Sequence, residues 1–384
     1  MKMDTNNIQL KKFLGAVSTD LILDSQKYKH TDIEQILEEK FSIQDNKLLF
    51  IVDPNLRGYA IETCGNELRI SVNLYKCPFI AVINSADEKP QTQPMTDLYN
   101  SSIFSTIAYL MCKNHSMFNI TQSLDEPIYI THKSNYGTFY NFAVLFSTSD
   151  GVRVNIVEEI ESKCALNVVS NYVMSKNSVI NLATFYNNHR NASSIYYRNI
   201  IVQDDSSFNH KLFGIGTYKV IDENRIKFGN RTKINLNGVI NSNGKAFNSI
   251  TTIQSSNNNN SVHYDYKSVA YEHSKVTIKP LVEVAGVCDV KVSVKNLILN
   301  DNSFIMTLPL LKIASEDASC FHGVTNSTLD ENDILYLMSR GMDYAQAKQL
   351  LINSFSYSET DIDSHFGIER YYECKNRFES SFRV

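Results

Sequence analysis

Cys320 and His322 are the residues of this chain whose types and spacing could do chemistry. They stand two apart beside Gly323, so in extended chain the thiol and the imidazole point to one face. Both are ligand types of soft metals and iron–sulfur clusters, but a metal site needs three or four ligands and only two are local. The other reading, a buried cysteine beside a hydrogen-bonded histidine, fits the same spacing. Other constellations carry less. Glu158 and Glu159 are adjacent, so in a strand they face opposite ways and cannot share a substrate; one solvated and one ion-paired carboxylate are expected. Gly214-Ile-Gly216 lacks a third glycine and a following helix signal, and reads as a β-turn. His263, Tyr264 and Asp265, with His273 further on, read as solvent-facing strand residues. The sequence has no Walker motif, no His-Glu-x-x-His and no nucleophile elbow, so any ATP hydrolysis must come from a partner.

The elements that must position Cys320 and His322 come from hydrophobic spacing. Leu308, Leu310, Leu311 and Ile313 form a strand-length apolar run, with Pro309 arguing for an edge or a strand start. After Thr325 the pattern turns helical. Thr328-Leu-Asp-Glu331 reads as a capping box, Ile334, Leu335 and Met338 as an apolar stripe, and Gly341 as a C-terminal cap. A second helix is predicted from Asp343 to Phe355 through Tyr344, Ala347 and Leu351. A third is predicted from Ser358-Glu-Thr-Asp361 through Ile362, Phe366 and Tyr372.

From Pro127 to Ile313, strand-sized runs of Val, Ile, Tyr and Phe alternate with Asn, Ser, Thr and Gly. Examples are Ile128–Ile130, Val152–Ile156, Val179–Leu182, Ser194–Tyr197, Lys233–Asn237 and Lys275–Ile278. So many short strands mean a sandwich, a barrel or a β-solenoid. Few Asn-Gly hairpin signals (Asn237-Gly, Asn243-Gly) and recurrent isolated asparagines favour the solenoid, although the residues alone leave a sandwich open. Asn257–Asn260 reads as a polar loop tip.

The first third reads as a mixed α/β cap. Thr31-Asp-Ile-Glu34 looks like a capping box for a short helix to Lys40, and Leu48–Val52 like a buried strand. Glu67–Leu74 alternates as a strand, and Asp97–Met111 has helical spacing.

Composition excludes several classes. The chain has 37 Lys and Arg against 41 Asp and Glu, with no basic block, which argues against nucleic acid or an anionic membrane as main partner. No stretch is apolar enough for a signal core or a membrane span, so a cytoplasmic location is expected. The seven cysteines are scattered, as suits a reducing compartment.

Leu308-Pro-Leu-Leu-Lys-Ile313, Cys320-x-His322-Gly323, Asp333-x-Leu-Tyr-Leu-x-Ser-Arg-Gly341, Ala345-x-Ala347-x-x-Leu-Leu351 and Phe355 together resemble the C-terminal part of the SufB/SufD family of iron–sulfur cluster assembly proteins. The Cys-x-His-Gly form looks closer to SufD. Glu126-Pro-Ile128, Arg231-x-x-Ile-x-Leu-x-Gly238, His263-Tyr-Asp265 and Asn296-Leu-Ile-Leu299 follow the same family order, and the resemblance is strongest over 296–355. After His-Gly the family usually runs Ala-Thr-Val-Gly, where this chain has Val324-Thr-Asn-Ser327.

The resemblance implies a mainly β chain with a right-handed parallel β-helix core over 121–325, after the cap at 1–120 and before a helical subdomain at 326–384. It implies a non-catalytic SufD-like scaffold with no stably bound cofactor, pairing with a SufB-type protein or a second copy of itself. Cys320 and His322 would then lie at that interface and take transient iron or a nascent cluster. A SufC-type ATPase would grip the C-terminal helices through Ile334, Leu335, Tyr336, Arg340, Gly341, Ala345, Ala347 and Leu351. The alternative class, a β-helix polysaccharide-binding protein or lyase, expects a carboxylate and basic cluster on one solenoid face and secretion.

Overall fold

The computed structural model describes residues 49–64, 67–85, 115–134, 140–163, 166–187, 192–216, 219–243 and 246–356, with Tyr372 and Asn376. The expected helices at 31–40 and 97–111, and the third C-terminal helix apart from Tyr372, lie outside the described residues.

Strands of Val, Ile, Tyr and Phe separated by one tight turn per half-coil cannot fold back as hairpins here, because each pairs with the strand two places on. β8 (Arg153–Ser162), β10 (Val179–Tyr186), β12 (Ser207–Gly216), β14 (Lys233–Asn243), β16 (Asn260–Tyr271), β18 (Cys288–Ile298) and β21 (Ser319–Ser327) stack parallel in one sheet. β9 (Leu166–Met174), β11 (Ser193–Val202), β13 (Lys219–Phe228), β15 (Ala246–Ser255), β17 (Lys275–Val284), and then β19 (Phe304–Thr307) and β20 (Leu310–Ile313) stack parallel in the other. The result is a parallel β-solenoid of about 7 turns, which decides the question that composition left between sandwich and solenoid.

Each of the strand seeds read from the sequence between residues 152 and 278 falls in one of these strands, apart from Val152, which immediately precedes β8. The described strands of the N-terminal third extend the same two sheets: β1 (Leu49–Asp53), β2 (Tyr59–Cys64) and β3 (Glu67–Ser71) join the first through β6 (Ile128–Ser134). β4 (Ile80–Ser85) and β5 (His115–Ile120) join the second through β7 (Tyr140–Thr148).

Side chains alternate inward and outward along every strand. Inward residues from both sheets form the continuous core, with like residues stacked coil on coil: the rings of Phe118, Phe146 and Tyr172 follow one another at 5.2 and 5.3 Å. On the outer face, Asn155, Asn181, Asn209 and Asn235 form a side-chain amide ladder with bonds of 2.7–2.8 Å, the polar ladder that the recurrent asparagines suggested. The turns stack too. Gly151, Asn177, Asp205, Arg231 and Asn259 all have positive φ, and the Asp205 and Arg231 amides each donate to the next coil's turn at 2.9 and 3.0 Å.

Four local readings change. Leu49–Asp53 is a strand but an edge strand, with Val52 39% exposed, so an apolar run does not by itself bury. Glu67–Leu74 is strand only to Ser71, whose hydroxyl then accepts from the Leu74 amide and starts helix α1 (Val72–Lys76); the cap overrides the alternation. Gly214 lies inside β12 and makes no turn: a Cβ there would sit 2.7 Å from the Phe247 ring, so glycine makes room for an inward aromatic. Asn237-Gly238 also lies within β14. Asn257–Asn260 does mark a turn, although Asn260 is buried and its side-chain oxygen accepts from the Thr232 amide at 2.9 Å.

After β21 come helices α2 (Glu331–Ser339) and α3 (Tyr344–Ser356). The cap of α2 is Asp330, which accepts from the Asn332 amide, and not Thr328. Gly341, at φ 97°, closes α2 as expected: its amide donates to Met338 and the Met342 amide to Leu337, satisfying the last carbonyls. Asp343 and Gln346 cap each other's amides at the start of α3. α3 packs on β16, placing Ile352 in an outer apolar cluster with Val239, Val269 and Leu297, and Lys267 lies over the Phe355 ring. No described helix is long and apolar enough to cross a membrane.

Candidate functional site

The last coil of the described solenoid holds the sequence-derived site. In β21, Cys320 stands opposite Val290, His322 opposite Val292 and Asn326 opposite Asn296. Val290, Val292 and Asn296 are buried inward residues, so Cys320 and His322 share the inward face, as their spacing required. The coil ends there, so that face is open: His322 is exposed, and Cys320 is half-buried against the core. Among the described residues β21 pairs only with β18, and β19 and β20 only with β17, so both sheets end in unpaired edges.

Apolar side chains crowd this end. Phe304 and Phe321 are more than half exposed, and Leu308, Leu310, Ile313 and Val324 stand out to water beside them. The run at 308–313 is therefore an edge, as Pro309 suggested.

Burial, then the nearby Asp289 carboxylate, raises the Cys320 thiol above its ordinary range. Burial, with Cys320 and Asp289 adding to it, pushes the Cys288 thiol up to about 12. Both shifts favour the neutral thiol over the thiolate. Among the described residues no group of three His, Cys, Asp or Glu could hold a metal ion. Among the described residues Cys320 and His322 alone do not complete a metal site, which needs three or four ligands.

The residues that the resemblance assigns to ATPase docking divide in two. Leu335, Tyr336, Arg340, Gly341 and Ala345 are exposed, and Arg340 lies 5.3 Å from the Tyr336 ring. Leu351 is half-buried, while Ile334 and Ala347 are fully buried in the packing of the helix pair and can support a docking face but not form it. Of the stripe expected on α2, only Ile334 turns inward; Leu335 and Met338 face water.

Sequence reasoning missed a second constellation, inside the solenoid. Glu158 is not solvated. It is fully buried, accepts from Tyr172, Tyr196 and Thr184, and is paired with Arg198. Arg198 also bonds Asp222, Asn224 and Thr184 and lies over the Tyr196 ring at 3.9 Å. Asp222 accepts in addition from Tyr186 and Asn224. Glu159, on the outer face, is buried as well. Tyr264 likewise points inward and is buried, and not solvent-facing; His263 and Asp265 are half-buried and His273 sits exposed in a turn.

Burial raises the Glu158 carboxyl, but Arg198, His132 and the tyrosine hydroxyls outweigh it and hold it below its ordinary range. Burial pushes His132 down to about 4 and His210 well below its usual value, Arg198 adding to the effect in both, so both imidazoles are neutral. The visible signal was a charge at inward parity within an apolar strand: Glu158 between Ile156 and Ile160, and Arg198 between Tyr196 and Ile200. With each oxygen of Glu158 and Asp222 hydrogen-bonded within the protein and all three charged side chains fully buried, this network is a structural ion cluster and not a substrate site. Glu158 and Glu159, facing opposite ways, do not form the carboxylate pair that a lyase would use.

These features define a parallel β-solenoid protein with an open last coil and a helix pair packed on the outside of one of its sheets. The chain belongs to the SufBD family: the family model for the SUF system FeS cluster assembly SufBD core domain matches residues 129–355, more than half of it. It is similar to an iron–sulfur cluster assembly SufBD family protein of Synechocystis, 39% identical over 62 residues (16% of this chain, 14% of that one). It is also similar to iron–sulfur cluster assembly protein SufD of Escherichia coli, 28% identical over 99 residues (25% and 23%). A third relative is chloroplastic protein ABCI7 of Arabidopsis thaliana, 34% identical over 61 residues (16% and 13%). The aligned stretch thus spans less than a quarter of each relative's length.

Proposed function

We propose that this chain is a non-catalytic, SufD-like scaffold subunit in iron–sulfur cluster assembly. Membership of the SufBD family supports the assembly role. The single observation that carries the scaffold reading is the open last coil, which among the described residues has two unpaired sheet edges, rimmed with exposed Phe304, Leu310 and Phe321, beside an incomplete ligand pair. An exposed apolar edge is a template for another strand, and an incomplete ligand set suits a site finished by a partner. The partner is a SufB-type protein or a second copy of this chain, and Cys320 and His322 help receive iron or a nascent cluster as cargo between them. The working division is a cap at 1–120, a core at 121–325 and an ATPase-docking subdomain at 326–384. A SufC-type ATPase binds the exposed side of α2 and α3 through Leu335, Tyr336, Arg340 and Ala345, and works in the cytoplasm with this chain.

The test is anaerobic co-purification of the full chain with SufB-type and SufC-type proteins. Phe321→Asp with Val324→Asp is expected to abolish retention of the β-helix partner and self-association while keeping the ATPase. Unchanged retention of the SufB-type protein, or of the second copy where that is the partner, would remove the edge-pairing reading.

A further inference from the structure

The outer face of the first sheet carries an apolar stripe that crosses the coils. Tyr129 on β6, Val157 on β8, Phe185 on β10, Phe213 on β12, Val239 on β14 and Val269 on β16 belong to one cluster. Tyr129 stands opposite Val157, and Phe185 opposite Phe213, whose ring it stacks on at 4.5 Å. Outward side chains of a parallel sheet meet water unless another layer lies on them. Val157, Phe185 and Phe213 are nevertheless only 2–4% exposed. Helix α3 covers the β16 end of the stripe through Ile352, with Phe355 beside it, but no described helix packs on β8, β10 or β12 as α3 does on β16. The cover over that part of the stripe has to come from elsewhere in the chain.

We propose that the stripe over β6–β14 is the docking surface of the chain's own segment 357–384. Stripe and segment are continuous: α3 ends at Ser356, itself buried, with Ile352 and Phe355 already at the cluster, so the chain leaves the helix on the stripe. The lengths match. Neighbouring strands lie about 4.8 Å apart, so the four steps from β14 to β6 span about 19 Å, and a helix over Ser358–Tyr372, as the sequence predicts, spans about 22 Å. The chemistry matches too. Ile362, Phe366 and Tyr372 recur at helical spacing as an apolar face, and Tyr372 and Asn376, the described residues of the segment, are helical. The other two long stretches outside the described residues are placed less well: 86–114 joins β4 to β5 in the opposite sheet, and 1–48 enters at β1, the far edge beyond β6. Seated on the stripe, the segment ties α2 and α3 to coils far from the open end and closes this face to any other partner. The seating needs no second protein, so it stands or falls apart from the scaffold reading.

Photo-crosslinking and footprinting of the full chain test this. Phe366→p-benzoylphenylalanine should link to peptides of β8–β14, and the absence of such links overturns the proposal. Ile362→Asp with Phe366→Asp should raise hydroxyl-radical oxidation of Phe185 and Phe213 severalfold, while the inward Phe208 and Phe247 stay protected. Unchanged oxidation of Phe185 and Phe213 in the folded variant assigns the cover to another stretch and overturns the proposal. The crosslinks decide alone if the variant does not fold.

Discussion

Arg198 donates from Nε to Oε2 of Glu158 at 3.2 Å across the interior of the solenoid, with both side chains fully buried. Forty residues separate them in sequence. One guanidinium thereby joins the two sheets, since it also holds Asp222 in its own sheet.

Removing that guanidinium leaves two carboxylates without compensation in the core. Arg198→Ala should cost about 3–5 kcal/mol, the usual effect of taking one partner from a buried ion pair. Chemical denaturation of the full chain measures it, and a change under about 1 kcal/mol would mean that the cluster is hydrated.

Acid should weaken the fold in a defined window. His132 titrates at about 4 in the folded chain against 6.5 ordinarily, and His210 is shifted down as well. As pH falls below 6.5 the unfolded chain takes up protons that the folded chain refuses, so stability declines toward pH 4. The depressed Glu158 adds a loss at lower pH still, when its carboxylate is protonated. Urea midpoints at pH 7.5 and 5 should differ, and His210→Gln should reduce the difference; a flat profile would show the histidines to be solvated.

Gly341 has φ 97° and open space where a Cβ would go, so backbone strain is the whole cost of replacing it. Gly341→Ala should destabilise by about 1 kcal/mol and loosen the α2–α3 bend without disturbing the solenoid. Hydrogen exchange that quickens in α2 and α3 but not in β14–β18 is the expected pattern.

On α2, burial separates docking from support. Leu335→Asp with Tyr336→Asp should leave the thermal midpoint unchanged and abolish ATPase retention, whereas Ile334→Ala should cost about 2–4 kcal/mol of stability. Retention by the double variant would place the ATPase elsewhere.

Much of this was legible locally. The spacing of Cys320 and His322 gave their common face, Asp343 to Phe355 gave α3, and Gly341 gave the end of α2, because each depends on neighbours within one turn or one strand. Of Glu158 and Glu159, the expected ion-paired carboxylate is Glu158, but the expected solvated one is absent, since Glu159 is buried too; neither burial was legible because the surroundings are supplied by other coils. The edge exposure of Val52 escaped for the same reason: burial depends on which strand comes next in the sheet, not on the run itself. Tyr264 looked like a surface residue because its flanking His263 and Asp265 are polar, yet alternation turns it inward.

The most direct test of the assembly role is the iron and sulfide content of the complex reconstituted anaerobically with the proposed SufC-type ATPase and β-helix partner. His322→Ala and Cys320→Ala should each fold and assemble as the parent does, since one side chain is exposed and the other half-buried. The account predicts an intact complex whose iron content falls severalfold with His322→Ala. Parent-level iron and sulfide in both variants would contradict it and leave the last coil as a docking edge alone.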